Sequence, residues 1–238
     1  MEHFSKNNHK DHTLPPGKWE FNAEVTDVFD EMLERSIPDY LGMRRTTTEF
    51  AVRFAQPGTY IVDLGCSRGA ALKPIAAELG SSVSYAGIEV SPPMLAAAFT
   101  ELPFAEFADT DLRHDYPEYD ASVVLAVLTL QFIPIEYRQK IVSEAYDSLR
   151  TGGVFLLVEK ILGYDSVTNE LFIETYLERK GANGYSPEEI NRKRESLEGV
   201  LVPVTAGWNE DLLRLAGFRH VECYWRHLNF AGWIGIKE

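Results

Sequence analysis

Residues 60–69 read YIVDLGCSRG, and this stretch decides the fold. Its first five residues form a β-branched and apolar run that predicts a buried strand, and helical spacing starts at residue 70. Gly65 and Gly69 stand between the two elements, where glycine lets the backbone turn sharply and lets a ligand approach closely. The spacing lacks the G-x-G-x-x-G fingerprint and no G-K-[ST] follows, so neither a pyrophosphate nor a nucleoside triphosphate is the expected ligand.

Strands and helices alternate on both sides of this stretch. Short connectors join them, which predicts an α/β fold: a Rossmann-like, doubly wound, mostly parallel seven-stranded sheet with helices on both faces. The last two strands share a two-residue link, which predicts a C-terminal antiparallel hairpin. The predicted strands are 60–64, 83–88, 104–108, 121–128, 154–159, 220–226 and 229–236, and the helices between them are 70–79, 92–102, 135–149 and 209–216.

The chain is predicted to fold as one domain, residues 19–238, after a mobile tail, residues 1–18, that has no apolar periodicity. Apolar residues at helical spacing predict N-terminal helices within residues 19–56. Residues 164–200 interrupt the alternation of strands and helices with two mostly polar helical stretches. We interpret this segment as an inserted helical cap.

The acidic composition limits the partners of the protein. Its 238 residues carry 36 acidic and 23 basic side chains, a formal net charge of -13, which opposes broad contact with a phosphate backbone. No apolar run reaches the ~20 residues of a membrane span and the N-terminus lacks a signal pattern, so neither nucleic acid nor a membrane is an expected partner. Cys66 and Cys223 lie far apart without a ligand spacing, which predicts no metal site and reduced thiols in a cytoplasmic protein.

Carboxylates follow the second and third predicted strands. Glu89 stands at the tip of the second strand, where it could accept hydrogen bonds from two vicinal ribose hydroxyl groups. Asp111 follows the third strand, where a short carboxylate could meet an adenine amino group. Together with the glycines after the first strand, these acids form the arrangement of class I S-adenosylmethionine enzymes, so S-adenosyl-L-methionine is the expected cofactor.

Seven motifs between residue 19 and the C-terminus are more specific than the glycine loop alone. They are WEFN at 19–22, RSIPDY at 35–40, DLGCS at 63–67, TLQF at 129–132, EK at 159–160, ANGYS at 182–186 and KR at 193–194. With these motifs the chain resembles the carboxy-S-adenosylmethionine synthase family. The resemblance implies a methyltransferase-like fold with a different reaction, in which S-adenosylmethionine and prephenate react, phenylpyruvate is released, and the lost carboxyl group moves onto the sulfonium methyl group. The product, carboxy-S-adenosyl-L-methionine, is implied to serve a partner enzyme that carboxymethylates the wobble uridine of tRNA.

The resemblance also implies which residues form the site. The family's nucleoside contacts fall on Tyr40, Gly65, Glu89 and Asp111, and its carboxylate-binding arginine falls on Arg194, whose guanidinium suits a bidentate contact. Val127 aligns with an asparagine of the family. The predicted catalytic residue is Arg194, and the predicted cofactor-binding residues are Tyr40, Asp63, Gly65, Cys66, Ser67, Gly69, Glu89, Asp111 and Val127.

Three functions remain open from the sequence. The first is synthesis of carboxy-S-adenosylmethionine. The second is methyl transfer to a small carboxylate-bearing molecule held by Arg194 under the cap. The third is a non-catalytic protein that binds a nucleoside or a partner, against which the intact glycines and acids weigh. The sequence does not fix the oligomeric state, and a homodimer is the assembly we consider.

Overall fold

The computed structural model describes Asp11 and residues 17–238 of the chain. Its strands are β1 (Tyr60–Leu64), β2 (Ser84–Glu89), β3 (Glu106–Asp109), β4 (Ala121–Val127), β5 (Leu149–Leu162), β6 (Val204–Thr205), β7 (His220–His227) and β8 (Phe230–Ile236). Seven of them form the sheet path β3-β2-β1-β4-β5-β8-β7, and the two-residue β6 pairs with β5 beside this path. The first five strands on the path are parallel, and β8 pairs antiparallel with both β5 and β7. The predicted mostly parallel sheet with its C-terminal antiparallel hairpin is confirmed.

Helices cover both faces of this sheet. They are α1 (Ala23–Ser36), α2 (Tyr40–Phe54), α3 (Leu72–Leu79), α4 (Pro92–Glu101), α5 (Ile135–Ser148), α6 (Ser166–Ala182), α7 (Pro187–Leu197) and α8 (Ala206–Ala216). Buried residues of α5 and α8 belong to one apolar cluster with the sheet, whereas buried residues of α2 and α3 belong to another. The doubly wound arrangement is therefore confirmed.

The two clusters follow from the period of the strands. Successive side chains of a strand point to opposite faces, and β4 reads ASVVLAV with every residue before its last fully buried. Val124 and Ala126 belong to the cluster with α5, whereas Val123 and Leu125 belong to the cluster with α2 and α3. A strand that is buried on both faces reads as a continuous apolar run, which is the pattern of a central parallel strand.

The N-terminal segment and the cap helices meet over the sheet edge. Trp19, Phe29 and Met32 are buried in one apolar cluster, and Leu197 at the end of α7 packs against this cluster. The Trp19 amide donates to the Ser196 carbonyl at 2.9 Å, which fastens the segment before α1 to α7. The predicted cap segment, residues 164–200, contains α6 and α7.

Three details of the structure differ from the predicted elements. β5 is longer than the predicted strand, α2 begins at Tyr40 rather than at Met43, where the apolar spacing predicts its start, and β6 was not predicted. Most of the predicted tail, residues 1–18, lies outside the described residues, so its mobility stays a prediction; Asp11, which is described, is fully buried. Within Asp11 and residues 17–238, no helix is long and apolar enough to cross a membrane.

Candidate active site

The loop between β1 and α3 adopts a conformation that requires its glycines. Gly65 and Gly69 have φ values of 71° and 76°, in the left-handed region that side chains with a Cβ rarely adopt. A Cβ on Gly65 would also collide with the Thr129 side chain. The Gly65 and Cys66 amides donate to the Ile88 carbonyl at 2.8 and 3.0 Å, which holds the loop at the carboxyl end of β2.

Glu89 ends β2 and braces the same loop. Its carboxylate accepts a hydrogen bond from the Ser67 amide at 3.0 Å and further ones from the Val90 and Ser91 amides at 2.8 and 2.9 Å. The side chain lines a cavity above the sheet edge. Since a carboxylate has about four lone-pair positions, Glu89 retains acceptor capacity for a ligand hydroxyl group.

Asp63 lies beneath the loop at the end of β1. It is fully buried, and burial is the main cause that raises the pKa of this carboxyl group to about 7, with the Glu89 carboxylate adding to the rise. The Arg44 guanidinium of α2 lowers the pKa again, but by less. Asp63 and Arg44 both line the cavity. The site therefore holds a buried acid whose charge depends on its neighbours near neutral pH.

Asp111 follows β3 and lines the cavity from another side. Arg113 donates to both oxygens of its carboxylate at 2.9 Å through Nε, and Nη2 donates to one of them at 2.5 Å. This pairing lowers the pKa of Asp111 to about 2. The carboxylate is therefore ionised at neutral pH and can accept a hydrogen bond from an amino group.

Eight of the nine predicted cofactor-binding residues line one cavity of about 430 Å³, a volume within the range of small-molecule sites. They are Tyr40, Asp63, Gly65, Cys66, Ser67, Glu89, Asp111 and Val127. The ninth, Gly69, shapes the loop but does not line the cavity. Cys66 is buried, and burial raises the pKa of its thiol, so the thiol stays protonated.

Two residues with a side chain adopt a positive φ at the cavity wall. They are Ser67 in the glycine loop, with φ 48°, and Leu128 after β4, with φ 63°. Such conformations cost free energy and persist where the surrounding structure fixes them, often at functional sites. The Leu128 amide donates to the Val158 carbonyl at 2.7 Å, which ties this turn to β5.

Three lysines line the cavity from the side of the cap. Lys160 lies on β5, Lys180 on α6 and Lys193 on α7. The Lys160 and Lys180 ammonium groups lie 5.0 and 5.6 Å from the centre of the Tyr176 ring, and Lys193 Nζ lies 4.5 Å from that of Tyr185. Burial lowers the pKa of Lys160 to about 8, and burial together with the charge of the other two lysines lowers the pKa of Lys180 to about 7.

The predicted catalytic residue, Arg194, is not part of this wall. Its side chain is exposed, and it does not line the cavity, whereas the preceding Lys193 is buried and does. Adjacent residues of a helix point about 100° apart, and α7 buries Lys193 and Ser196. The structure thus turns Arg194 away from the other predicted site residues.

Sequence patterns pointed to only part of this site. Lys160 and Lys193 lie in motifs that carry the family resemblance, but the resemblance does not predict a binding or catalytic role for either lysine. No local pattern marks Arg44 or Lys180, because a single basic residue on a helix is usually a solvated side chain. Only the meeting of separate elements at one cavity distinguishes them.

The fold and this cavity define a class I methyltransferase-like enzyme that uses S-adenosylmethionine. Residues 61–153 match the family model described as a methyltransferase domain. Solved structures of similar fold include an O-methyltransferase family protein from Burkholderia thailandensis, with a TM-score of 0.64 and 18% identity, covering 92% of this chain and 61% of that chain. Another is human N-acetylserotonin methyltransferase in complex with S-adenosylmethionine, with a TM-score of 0.58 and 16% identity, covering 90% of this chain and 55% of that chain.

Sequence comparison narrows this class to one family. The chain is 39% identical over 224 residues to the carboxy-S-adenosyl-L-methionine synthase of Methylococcus capsulatus, covering 91% of this chain and 93% of that protein. It is 36% identical to the synthase of Desulfotalea psychrophila, covering 94% of both chains. The chain therefore belongs to the carboxy-S-adenosyl-L-methionine synthase family and is an S-adenosylmethionine-dependent transferase.

Proposed function

We propose that this protein forms carboxy-S-adenosyl-L-methionine from S-adenosylmethionine and prephenate. The observation that carries the proposal is the division of charge within one cavity. Asp63, Glu89 and Asp111 line it at the carboxyl ends of β1 and β2 and after β3, where Arg44 and Arg113 balance only part of their charge, and lysines from β5 and the cap line it as well. A cationic nucleoside and an anionic co-substrate are the pair of ligands that complements such a cavity.

The acidic part is proposed to bind S-adenosylmethionine. Glu89 accepts a hydrogen bond from a ribose hydroxyl group, and Asp111 accepts one from the adenine amino group. The glycine loop lets the nucleoside approach the backbone closely, because neither Gly65 nor Gly69 carries a side chain. Asp63 supplies a negative charge near the cationic part of the ligand.

The reaction needs orientation and exclusion of water more than it needs a strong base on the protein. Prephenate loses its ring carboxyl group as carbon dioxide and its ring hydroxyl group, which leaves as water with a proton of the sulfonium methyl group, and the methyl carbon takes up the carbon dioxide. Holding the reactants together and excluding bulk water are the contributions that a roofed cavity makes. Trp19, Phe21, Phe29 and Phe132 provide an apolar roof over it.

One incubation tests the proposal. The protein is mixed with S-adenosylmethionine, with and without prephenate, and the nucleoside products are identified by mass spectrometry. We expect a product that has gained one carboxyl group, formed only when prephenate is present. Formation of S-adenosylhomocysteine with a methylated carboxylate acceptor would support the methyltransferase alternative, and no conversion at all would support the non-catalytic one.

The role of Arg194 stays a prediction from the family resemblance, since its side chain is exposed in this structure. Arg194→Ala and Lys193→Met variants distinguish the contributions of these two neighbouring residues to ligand binding. Calorimetry with S-adenosylmethionine and with carboxy-S-adenosylmethionine is performed on both. If Arg194 grips the new carboxyl group, we expect Arg194→Ala to weaken binding of the carboxylated ligand by ~2–4 kcal/mol while leaving S-adenosylmethionine binding nearly unchanged.

The cellular setting is proposed on the same basis. We propose a cytoplasmic protein whose product serves an enzyme that modifies the wobble uridine of tRNA, without contact between this chain and the tRNA. The free thiols of Cys66 and Cys223 support the cytoplasmic location.

For the assembly we propose a homodimer, supported by exposed apolar side chains at the start of the cap, Tyr164 at 95% and Val167 at 74% exposure. Sedimentation equilibrium tests the dimer.

A further inference from the structure

Lys160 and Lys180 converge on one aromatic ring at the cap side of the cavity. Lys160 is the residue after Glu159 in β5, and Lys180 belongs to the last turn of α6. Their ammonium groups lie 5.0 and 5.6 Å from the centre of the Tyr176 ring. Both lysines and the tyrosine line the cavity, so all three are accessible to a ligand bound on this side of it.

These two lysines differ from Lys193 in their partners. Lys193 Nζ donates to the Asp11 carboxylate at 2.5 Å. Among Asp11 and residues 17–238, no carboxylate oxygen lies within 4.0 Å of the ammonium group of Lys160 or Lys180. Besides Tyr176, Lys160 Nζ lies 6.0 Å from the centre of the Phe230 ring and Lys180 Nζ lies 4.9 Å from that of Tyr185. Aromatic rings stabilise a cation but do not neutralise it.

Two ammonium groups in this position are costly for the protein. Lys180 is 7% exposed, and the charges of Lys193 and Lys160 each disfavour its own charge by more than the Asp11 carboxylate favours it. A buried charge is unfavourable unless it is paired, and a bound anion would supply a partner that the described residues do not place within 4.0 Å of either ammonium group. The arrangement is therefore poised for a negatively charged ligand rather than for internal stability.

We propose that Lys160 and Lys180 form an anion subsite that binds a carboxylate of the co-substrate, next to the Tyr176 ring. The inference rests on the proposed function and deepens it, because it assigns the second ligand to particular residues. The chemical class of the ligand is a 2-oxo acid with a cyclic body, which places the carboxylate against the lysines and the body against aromatic side chains.

Chemistry decides which of two carboxylates the subsite takes. A carboxylate that leaves as carbon dioxide must give up its negative charge, and an ammonium contact would stabilise that charge and slow the loss. Apolar surroundings favour the loss instead. The lysines therefore hold the carboxylate that is retained, the one on the 2-oxo side chain, and the departing ring carboxylate faces the apolar part of the cavity.

Binding of phenylpyruvate tests this assignment, since phenylpyruvate keeps the 2-oxo acid and lacks the ring carboxylate. Protein saturated with S-adenosylhomocysteine is titrated with phenylpyruvate by calorimetry, for the wild type and the Lys160→Met and Lys180→Met variants. Methionine keeps a long apolar stem and removes the charge. We expect each variant to bind phenylpyruvate about tenfold or more weakly. The KM for prephenate should rise by a similar factor.

Matched controls separate a binding role from a structural one. Lys140→Met removes an exposed lysine of α5 that pairs with Glu144, and it should bind phenylpyruvate as the wild type does. S-adenosylhomocysteine affinity should be unchanged in all three variants. Thermal unfolding of Lys160→Met and Lys180→Met should occur at the wild-type temperature or above it, because each substitution removes a charge that burial disfavours.

Three outcomes would overturn the subsite: unchanged phenylpyruvate affinity in both lysine variants, equal losses for phenylpyruvate and S-adenosylhomocysteine, or prephenate affinity that depends on the lysines while phenylpyruvate affinity does not. The last outcome would place the departing carboxylate there. A different result would contradict the proposed function alone. Wild-type protein that binds phenylpyruvate through the lysines but makes no carboxylated nucleoside retains the subsite and loses the reaction.

Discussion

The Glu89 carboxylate accepts hydrogen bonds from three backbone amides and also lines the cavity. We predict that Glu89→Ala weakens binding of S-adenosylmethionine by about 1.5–3 kcal/mol, the usual cost of a lost charged hydrogen-bond partner. Calorimetry measures the change. Glu78→Ala, at an exposed position of α3, is the control and should bind normally. Wild-type affinity in Glu89→Ala would remove this residue from the nucleoside site.

Asp63 predicts a pH dependence of the same binding step. Burial raises the pKa of Asp63 to about 7, so part of the population is protonated at neutral pH. A cationic ligand nearby favours the ionised form, which means that binding releases a proton and that affinity increases as pH rises through 7. Calorimetry on either side of pH 7 in two buffers of different ionisation enthalpy measures the released proton.

The Asp63→Asn variant is the control for this prediction. Asparagine keeps the size of the side chain and does not titrate, so the variant should lose the part of the pH dependence that belongs to this residue. The remaining dependence then comes from the ligand amino group and other residues. Identical pH profiles for the two proteins would show that Asp63 does not sense the ligand charge.

The raised pKa of Asp63 also makes the free energy of unfolding depend on pH. This contribution decreases as pH rises, whereas ligand affinity increases. The folded-state pKa of Asp63 lies above its unfolded value, so the folded protein binds the proton more tightly. The contribution of Asp63 to stability is therefore fully present below the unfolded pKa near 4 and is lost as pH rises through about 7. Ligand binding favours the ionised acid, and folding alone favours the protonated one.

Local sequence patterns predict the positions of some residues of the site but not of others. Gly65, Glu89 and Asp111 were predictable because a strand end fixes their place relative to one another. Arg194 and Lys193 are adjacent on a helix, and only the packing of α7 decides which of them faces the cavity. That packing depends on Trp19 and Leu197, which lie far apart in the chain.

At the scale of elements, the start of α7 controls how firmly the cap is held. Ser186 and Glu189 form a capping box, in which the Glu189 amide donates to Ser186 Oγ at 3.2 Å and the Ser186 amide donates to the Glu189 carboxylate at 2.6 Å. We predict that Ser186→Ala lowers the free energy of unfolding by about 1 kcal/mol. Denaturant unfolding measures this loss, and Ser81→Ala, at an exposed position, should show none.

The Ser186→Ala variant should also show a selective kinetic effect. α7 carries Lys193 and Leu197 into the cavity wall, whereas the glycine loop belongs to other elements. A frayed α7 should raise the KM for the co-substrate and leave the affinity for S-adenosylmethionine unchanged. Equal effects on both ligands would mean that the cap helps to bind the nucleoside too.

Element boundaries were predictable to the extent that local patterns set them. The apolar run and the turn residues gave β1 its exact bounds, whereas β5 extends beyond its apolar run. Additional pairing accompanies the extension at both ends, since Leu149 pairs with Ala121 of β4, and Ile161 and Leu162 pair with β6. β6 itself is too short to carry a periodic pattern, so it was invisible in the sequence.

For the whole molecule, the net charge of -13 predicts that the protein does not bind tRNA by itself. An acidic surface repels a phosphate backbone and releases few counterions on contact. A gel shift at physiological salt should therefore show no complex at micromolar protein. A specific complex at that concentration would show that a local basic surface overcomes the overall charge.

The order of the cavity residues along the chain, with α6 and α7 between β5 and α8, has a consequence for how this scaffold diversifies. The acidic part of the cavity is encoded between residues 63 and 111, whereas the three lysines fall between residues 160 and 193. If the lysines hold the co-substrate as proposed, its contacts and the acids that face the nucleoside lie in separate blocks of the sequence. Substitutions in the second block would then change the preference for the co-substrate while the acids and glycines of the first block keep the nucleoside.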